Sequence, residues 1–178
     1  MRHLCLFFLF SLCLSLRAAP HSESQYAQAL LAYREGRSKE ALGLIDALLK
    51  EAPREWKAWE LRGLLLKEMG EFEPALELFK KLADTASEQN LSNQETAPYT
   101  FQIGVLLYEL KRAEEAVPYF NKSAQEGFNT AAAEYFLGLI ALSQGKIFQA
   151  EGHFRHAAYG KAGLLSAAAY YYLGTLAK

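Results

Sequence analysis

Apolar residues along this chain follow a helical period, and short breaks separate one helical segment from the next. Between residues 56 and 82, Trp59, Gly63 and Leu66 fall on one side of a first helix. After a break, Ala75 and Phe79 fall on one side of a second helix. The same order, a first apolar helix, a glycine or short break and a second apolar helix, returns along the chain. The pattern therefore predicts an all-α chain of antiparallel helix pairs.

Four columns of residues recur in register. Alanines are separated by 34, 41 and 34 residues, a large apolar residue follows each alanine by four positions, and a small residue precedes it by twelve. A glycine closes the first helix in three copies, and Lys111 stands at that place in the third copy. Columns in register indicate an internal repeat. The columns are Ala41, Ala75, Ala116 and Ala150; Ile45, Phe79, Phe120 and Phe154; Ala29, Gly63, Gly104 and Gly138; and Gly36, Gly70 and Gly145.

The columns have a packing interpretation. A small residue where two helices cross lets their backbones approach, and the large side chain fills the neighbouring gap. Pro53 is expected to stop the second helix of the first copy just before Trp56 begins the next helix. The 41-residue step places seven extra residues within Asp84 to Thr96, which predicts either a solvated loop or an extra helical turn.

The repeat resembles the tetratricopeptide repeat family over about Ser22 to Ala158. The first copy has Gln25 and Gln28 where the family usually packs apolar side chains, which suits an outer cap. The residues that carry the resemblance are Trp59, Gly63, Gly70, Phe72, Ala75 and Phe79 in the second copy, Ile103, Gly104, Tyr108, Ala116 and Phe120 in the third, and Leu137, Gly138, Gly145, Ala150, Phe154 and Ala157 in the fourth.

The last quarter departs from that pattern. The next matching glycine after Gly138 is Gly174, a step of 36 residues, and Ala157, Ala158 and Gly160 precede it. This part resembles the related Sel1-type repeat. Together the resemblances imply a right-handed α-solenoid of antiparallel helix pairs. The expected organisation is a signal peptide at 1–19 and a repeat domain at 22–178, with repeats at about 22–55, 56–89, 97–130 and 131–164 and a terminal helix at 164–178.

The first residues have the pattern of an export signal. Arg2 precedes an apolar run from Leu4 to Leu16, which is shorter than the roughly 20 residues of a membrane-spanning helix. Cleavage is expected after Ala18 or Ala19, although the residues before this pair are not the small ones that such sites prefer. The alternatives are an uncleaved anchor and a buried first helix. The mature chain is expected without a transmembrane span.

Cysteine use agrees with a leader that is removed. Cys5 and Cys13 are the only cysteines, and both lie in the leader. The mature chain would then contain no disulfide, thiol nucleophile or thiolate metal site. We expect its stability to come from packing.

Charge argues against nucleic acid as a partner. The formal net charge is −1, and without Arg2 and Arg17 the chain has 17 cationic and 20 acidic residues. Proteins that bind DNA or RNA need a basic surface that neutralises phosphates. Hydrophobic residues make up 51% and charged residues 22%, which is typical of a globular chain.

Residues suited to catalysis are few. His153 and His156 lie three positions apart on one helix, yet the sequence places no third metal ligand beside them. No glycine-rich phosphate loop, nucleophile elbow or nucleotide motif is present. We therefore expect no enzyme activity, no metal and no cofactor.

One side of the first helices is the candidate binding surface. In solenoids of this kind the first helices line the concave surface. Aromatic and aliphatic side chains there suit a peptide or a helix of a partner, whereas the alternative is that they form core. The chaperone-binding members of the family hold a carboxylate with a Lys and Asn clamp, which is absent here. This first-helix face comprises Tyr26, Leu30, Tyr33, Glu60, Leu64, Lys67, Phe101, Val105, Tyr108, Tyr135, Leu139, Leu142 and Tyr171.

These patterns favour an exported scaffold or adaptor that binds a partner protein and supports assembly of an envelope complex. It would be periplasmic or envelope-associated if bacterial, and otherwise secreted. Two alternatives stay open: an accessory repeat region of a longer exported enzyme, and a binder of envelope glycan. The terminal helix, from Leu164 to Lys178, lacks a polar side. It is expected to meet a partner, to support homo-oligomerisation or to continue into a longer array.

Overall fold

The computed structural model describes residues 19–159 and 164–176, and this part of the chain contains nine α-helices and no strand. The leader expected at residues 1–19 lies outside the described residues except for Ala19. The helices are α1 (Ala19–Arg34), α2 (Ser38–Glu51), α3 (Trp56–Glu68), α4 (Phe72–Glu88), α5 (Asn93–Glu109), α6 (Ala113–Gln125), α7 (Thr130–Ser143), α8 (Ile147–Ala158) and α9 (Leu164–Leu176).

The first helices α1, α3, α5 and α7 end in the same way. The closing residue has a left-handed backbone, with φ of +72° at Gly36, +80° at Gly70, +63° at Lys111 and +71° at Gly145. Its amide donates to the carbonyl three residues earlier at 3.0 Å, and the next amide donates to the carbonyl five residues before it at 2.9 Å. These two bonds satisfy carbonyls that the helix end leaves open. The prediction that Lys111 replaces a closing glycine is confirmed.

The chain divides into two compact units, one ending at Glu71 and the other beginning at Phe72, and each is described by itself. In the first unit, α2 packs against both α1 and α3. Ala29, Ala41 and Ile45 are fully buried in one cluster, which agrees with their columns. The indole Nε1 of Trp59 donates to the carbonyl oxygen of Pro53 at 3.0 Å, so α3 is tied to the turn where α2 has ended.

The second unit is a succession of helices from α4 to α9, each packed against the next. Gly104 on α5 and Gly138 on α7 lie against the rings of Phe120 and Phe154, which are fully buried. A Cβ atom would be 3.0 Å from the Phe120 ring at Gly104 and 2.7 Å from the Phe154 ring at Gly138. The predicted pairing of a small residue with a large ring is therefore confirmed in both copies.

Ring stacking sets the register of the last helix. Phe136 on α7 stacks on Phe120, with centroids 4.9 Å apart and an interplanar angle of 5°. Tyr172 on α9 stacks on Phe154 at 4.8 Å and 7°. Phe136 and Tyr172 are separated by the same 36 residues as Gly138 and Gly174. Helix α9 therefore occupies the place of a first helix against the pair before it.

The extra residues of the 41-residue step lie mostly within helices. Both α4 and α5 have 17 residues, whereas α6, α7 and α8 have 12 to 14. The backbone amide and the hydroxyl of Ser92 donate to Glu95 Oε2 at 2.9 and 2.8 Å, and α5 therefore begins at Asn93. The third repeat thus starts slightly before the expected residue 97. Of the two alternatives for this segment, the extra helical turns are correct.

No helix within the described ranges combines the length and the apolar character that crossing a membrane requires.

Candidate functional site

In the first unit, the first-helix face is formed by α1 and α3. Tyr26, Leu30 and Tyr33 are half-buried and pack against the core cluster of this unit. Burial raises the pKa of Tyr26 and of Tyr33, and the carboxylates of Glu60 and Glu68 add to the effect at Tyr26 and Tyr33 respectively. Both phenols therefore stay neutral over a wide pH range and can donate hydrogen bonds.

The part of the first-helix face that lies on α3 is amphipathic. Glu60, Leu64 and Lys67 are all half-buried, with charged groups on either side of one aliphatic side chain. Glu60 and Lys67 both already take part in interactions within the protein. The charged side chains of Glu60 and Lys67 therefore interact within the protein as well as lying at its surface.

In the second unit, Val105, Tyr108, Leu139 and Leu142 keep partial exposure on α5 and α7. The Tyr108 ring contacts the Phe136 ring edge to face, with centroids 5.1 Å apart. Burial raises the Tyr108 pKa, and Glu109 adds to the shift. These side chains rest on the core at one edge and reach the surface at the other.

Phe101 does not lie on an accessible face. It is 8% exposed, and its ring contacts those of Phe120, Phe128 and Phe136 at centroid distances of 6.0, 6.2 and 6.5 Å. Among the two interpretations of the face, binding surface or core, Phe101 fits the core. Phe101 lies three residues before Gly104 and therefore on the same side of α5, the side that packs against Phe120 on α6.

The two tyrosines at the same position in later copies are more open. Tyr135 is half-buried and contacts the rings of Phe136 and Phe154, each at 6.0 Å. Burial raises its pKa, and neighbouring tyrosines add to the shift. Tyr171 on α9 is 69% exposed, and its described ring contact is with Tyr172 at 5.6 Å. Exposure therefore rises along this column from Phe101 to Tyr171.

Glu134 is a residue that the sequence pattern did not single out. Its Oε2 lies 2.8 Å from Nδ1 of His153 and 3.6 Å from Nδ1 of His156, and its side chain is only 14% exposed. It is the one charged residue of α7, and a lone charge in an apolar helix is the sequence signal that could have pointed to it. Within the described residues, no group of three or more acidic, histidine or cysteine side chains is arranged to hold a metal. The cluster pairs a carboxylate with imidazole across α7 and α8.

Two clefts also escaped the sequence pattern, and neither includes a residue of the first-helix face. In the second unit a cleft of about 550 Å³ lies among α6, α7 and α8, and Glu114, Gln144 and Lys146 are among the residues that line it. In the first unit a cleft of about 410 Å³ is lined partly by Trp59 and Arg62. Arg62 Nε donates to Asp46 Oδ1 at 2.8 Å, so its charge is paired.

No curated protein is significantly similar in sequence to this chain. Solved structures with the same fold are numerous. A double mutant of MamA from strain RS-1 superposes with a TM-score of 0.71 at 16% identity, covering 89% of this chain and 84% of that one. YrrB, described as a tetratricopeptide repeat protein with an unusual peptide-binding site, gives 0.62 at 20% identity, covering 85% and 74%.

A third similar structure is the Rap conjugation gene regulator of plasmid pLS20 in complex with the Phr* peptide. It gives a TM-score of 0.66 at 17% identity over 83% of this chain, which spans 45% of the length of that protein. At such identities the likeness concerns the fold alone. It confirms the predicted class, an all-α helical-repeat solenoid.

Sequence profiles described as tetratricopeptide repeat match residues 26–90 and 97–125. These ranges contain three of the glycine or Lys111 helix ends and the Gly104 and Phe120 pair described above. Over these two ranges, which together make up more than half of its length, the chain is a tetratricopeptide repeat protein.

Proposed function

We propose that this chain is an interaction scaffold that binds a partner protein or peptide through its first-helix face, without the buried Phe101. The observation that carries the proposal is the contrast between the second helices and two of the first helices, α7 and α9. The second helices concentrate their apolar side chains on one side, which faces the core. By contrast α7 has Glu134 as its one charge, and α9 has none, so both are apolar around their circumference.

A helix that is apolar all round is normally covered all round. In α7, one side packs against neighbouring helices, while Leu139 and Leu142 keep part of their surface open. Val105 on α5 is half-buried at the position equivalent to Leu139. Burying that remaining surface against a partner would release water from it and contribute about 25 cal/mol per Å². The apolar character of this side is therefore explained if another chain covers it.

The chemistry of the face indicates the kind of partner. Tyr26, Tyr33 and Tyr108 offer rigid rings with a neutral hydroxyl at one edge, which give contact area at a low entropy cost. Within each unit, aliphatic side chains stand one position after the small residues of the complete repeats. A peptide segment or helix with apolar side chains at helical or alternating spacing would fit this surface.

Two of the similar structures support a peptide or protein as partner. One is described by its peptide-binding site and one contains a bound peptide. For this chain we infer the same general class of partner. We also propose that the protein is exported by its apolar leader, works in the cell envelope or outside the cell, supports assembly of a complex there, and catalyses no reaction itself.

The proposal is tested by capture of partners with a matched pair of variants. Val105→Asn with Leu139→Asn changes one equivalent position in two repeats and leaves the core rings in place. Phe148→Ser changes a side chain that is 91% exposed on α8, a second helix that carries no residue of the first-helix face. We expect the double variant to lose the captured protein and Phe148→Ser to retain it, with equal helical content by circular dichroism. Unchanged capture by a folded double variant would reject the proposal.

A further inference from the structure

Helix α9 has two sides of opposite burial. Ser166 and Ala169 are buried and Tyr172 is half-buried, and this side packs against α8. The other side follows the helical spacing i, i+3, i+4, i+7 and i+8, so its members form one continuous stripe. None of them is charged, and Tyr170 and Tyr171 are 59% and 69% exposed. This α9 stripe consists of Ala167, Tyr170, Tyr171, Gly174 and Thr175.

The register of α9 shows which positions of a complete repeat these residues represent. Because Tyr172 stacks on Phe154 as Phe136 stacks on Phe120, the two helices align with a step of 36 residues. Gly174 then corresponds to Gly138, and Tyr171 corresponds to Tyr135. In the two complete pairs of this unit, the position equivalent to Gly174 holds Gly104 or Gly138, the small residue against which the second helix packs.

The corresponding glycines of those pairs are filled by a ring. A Cβ at Gly104 or Gly138 would lie only 3.0 or 2.7 Å from the phenyl ring of the second helix. At Gly174, a Cβ would meet no described atom within 4 Å. The position is therefore a slot shaped by the repeat for an aromatic ring, and none of the described residues fills it.

We propose that the α9 stripe docks an amphipathic helix of a partner protein that carries an alanine and, four residues later, a phenylalanine. This helix would complete the fifth pair as α6 completes the pair with α5 and α8 the pair with α7. The stripe shares only Tyr171 with the first-helix face, so this second docking surface goes beyond the function proposed above. Its test changes Gly174, which lies outside the first-helix face, so failure of this proposal can be told apart from failure of the proposed function.

The chemistry of the occupant follows from the two filled copies. Ala116 and Ala150 are fully buried where their helices pack, and Phe120 and Phe154 enter the glycine slots. The ring centroid of Phe154 also lies 6.0 Å from that of Tyr135, the equivalent of Tyr171. A phenylalanine placed in the Gly174 slot would therefore contact Tyr171. Because the stripe has no charge, the inner side of the docked helix must be uncharged as well.

A second copy of this chain does not supply such a helix. The large residues of the second-helix column are already buried, with exposures of 0% for Ile45, Phe120 and Phe154 and 2% for Phe79. Phe148 is 91% exposed, but Gln144 stands four residues before it in place of the alanine. A folded copy would have to open one of its own helix pairs to fill the slot. A second copy is therefore not the occupant, and the helix we propose belongs to another protein.

The test uses a helical peptide with the sequence of Ile147–Ala158, which contains Ala150 and Phe154, stapled on its outer side because so short a helix is marginal alone. Its binding to the protein is followed by fluorescence anisotropy. Gly174→Leu fills the slot and also raises helix propensity, so α9 stays folded. Gly152→Leu is the matched control, since Gly152 is also a helical glycine with no described atom near its Cβ.

We expect the peptide to bind the unchanged protein and the Gly152→Leu variant equally. Gly174→Leu, or Phe154→Ala in the peptide, should weaken binding about tenfold or more. The proposal is overturned if the peptide does not bind or binds both glycine variants alike. It is also overturned if sedimentation shows a dimer of the unchanged protein that Gly174→Leu dissociates, because the occupant would then be a second copy.

Discussion

At the scale of single residues, Lys111 shows how the repeat tolerates a substitution at a place suited to glycine. Its φ of +63° is left-handed, and the same two hydrogen bonds close this helix as close the helices that end in glycine. A side chain at this φ costs about 1–2 kcal/mol, and glycine avoids that cost but loses part of the gain through its freer unfolded state. The two backbone hydrogen bonds thus keep this helix end in place although Lys111 is strained.

Lys111→Gly should therefore raise the free energy of unfolding by about 1 kcal/mol, measured by urea denaturation. Lys81→Gly is the control, because Lys81 is exposed in the right-handed interior of α4. That change should lower the free energy of unfolding by about 1 kcal/mol. If both variants lost stability, the left-handed backbone at Lys111 would not be a source of strain.

The glycine slots give a second prediction at this scale. In Gly138→Ala the new Cβ would be 2.7 Å from a Phe154 ring that is fully buried and stacked on Tyr172. The ring has no room to yield, so we expect a loss of about 1–3 kcal/mol in the free energy of unfolding.

Gly152→Ala provides the comparison for this prediction. Gly152 lies within α8 and has no described atom within 4 Å of a Cβ. Alanine there should stabilise the helix by about 0.5–1 kcal/mol, as read from thermal and urea unfolding. Equal effects at the two glycines would mean that ring contact does not explain why small residues recur in this column of the repeat.

Sequence spacing predicted these contacts but not the exposure of each ring. The columns identified Gly104 with Phe120 because recurrence at a fixed separation reports a contact made in every copy. Phe101 and Tyr171 occupy equivalent positions, yet one is 8% and the other 69% exposed. The difference comes from whether a second helix of the same pair lies beside them, and helical periodicity carries no information on that.

At the scale of elements, the start of α5 depends on one carboxylate. Two donors of Ser92 bond to Glu95 Oε2, and these hydrogen bonds hold the pKa of Glu95 below its ordinary value of 4.5. Because the folded pKa is lowered, the stabilisation is fully present above the unfolded pKa and is lost as the pH falls through the folded pKa.

We therefore expect Glu95→Gln to be less stable than the unchanged protein at about pH 6.5, by the difference in urea midpoints. The difference should shrink as the pH falls through the lowered pKa of Glu95, because the carboxyl of the unchanged protein then becomes protonated. Glu88→Gln, near the end of α4, is a control for loss of one exposed charge. A gap that stays constant with pH would show that the carboxylate form of Glu95 does not stabilise this helix start.

Apolar periodicity alone left the lengths of α4 and α5 open for a physical reason. The segment between Asp84 and Thr96 is polar and has no proline, so it suits an exposed helix as well as a loop. Local capping by Ser92 and Glu95 decides the outcome. The helix ends at Gly36, Gly70 and Gly145 were predictable because only a few residues adopt the left-handed backbone easily.

At the scale of the molecule, the repeat pattern predicted the fold class and the succession of helices within each unit. It did not predict the carboxylate and histidine cluster at Glu134 or the two clefts, because these depend on side chains from different helices meeting. The Sel1-type character of the last quarter, the export signal and the envelope location stay predictions. The repeat pattern does not show which of the exposed apolar surfaces bind another protein.

The central claim is that the first-helix face binds a protein or peptide, and site-specific photo-crosslinking in the native cell tests it most directly. A photoreactive amino acid is placed at Tyr108 or Leu139 on this face, and at Phe148 on α8 as the control position. We expect the same partner to be cross-linked from Tyr108 and from Leu139, and not from Phe148. Cross-links to that partner from Phe148 alone, with both face positions silent in a folded protein, would contradict the claim.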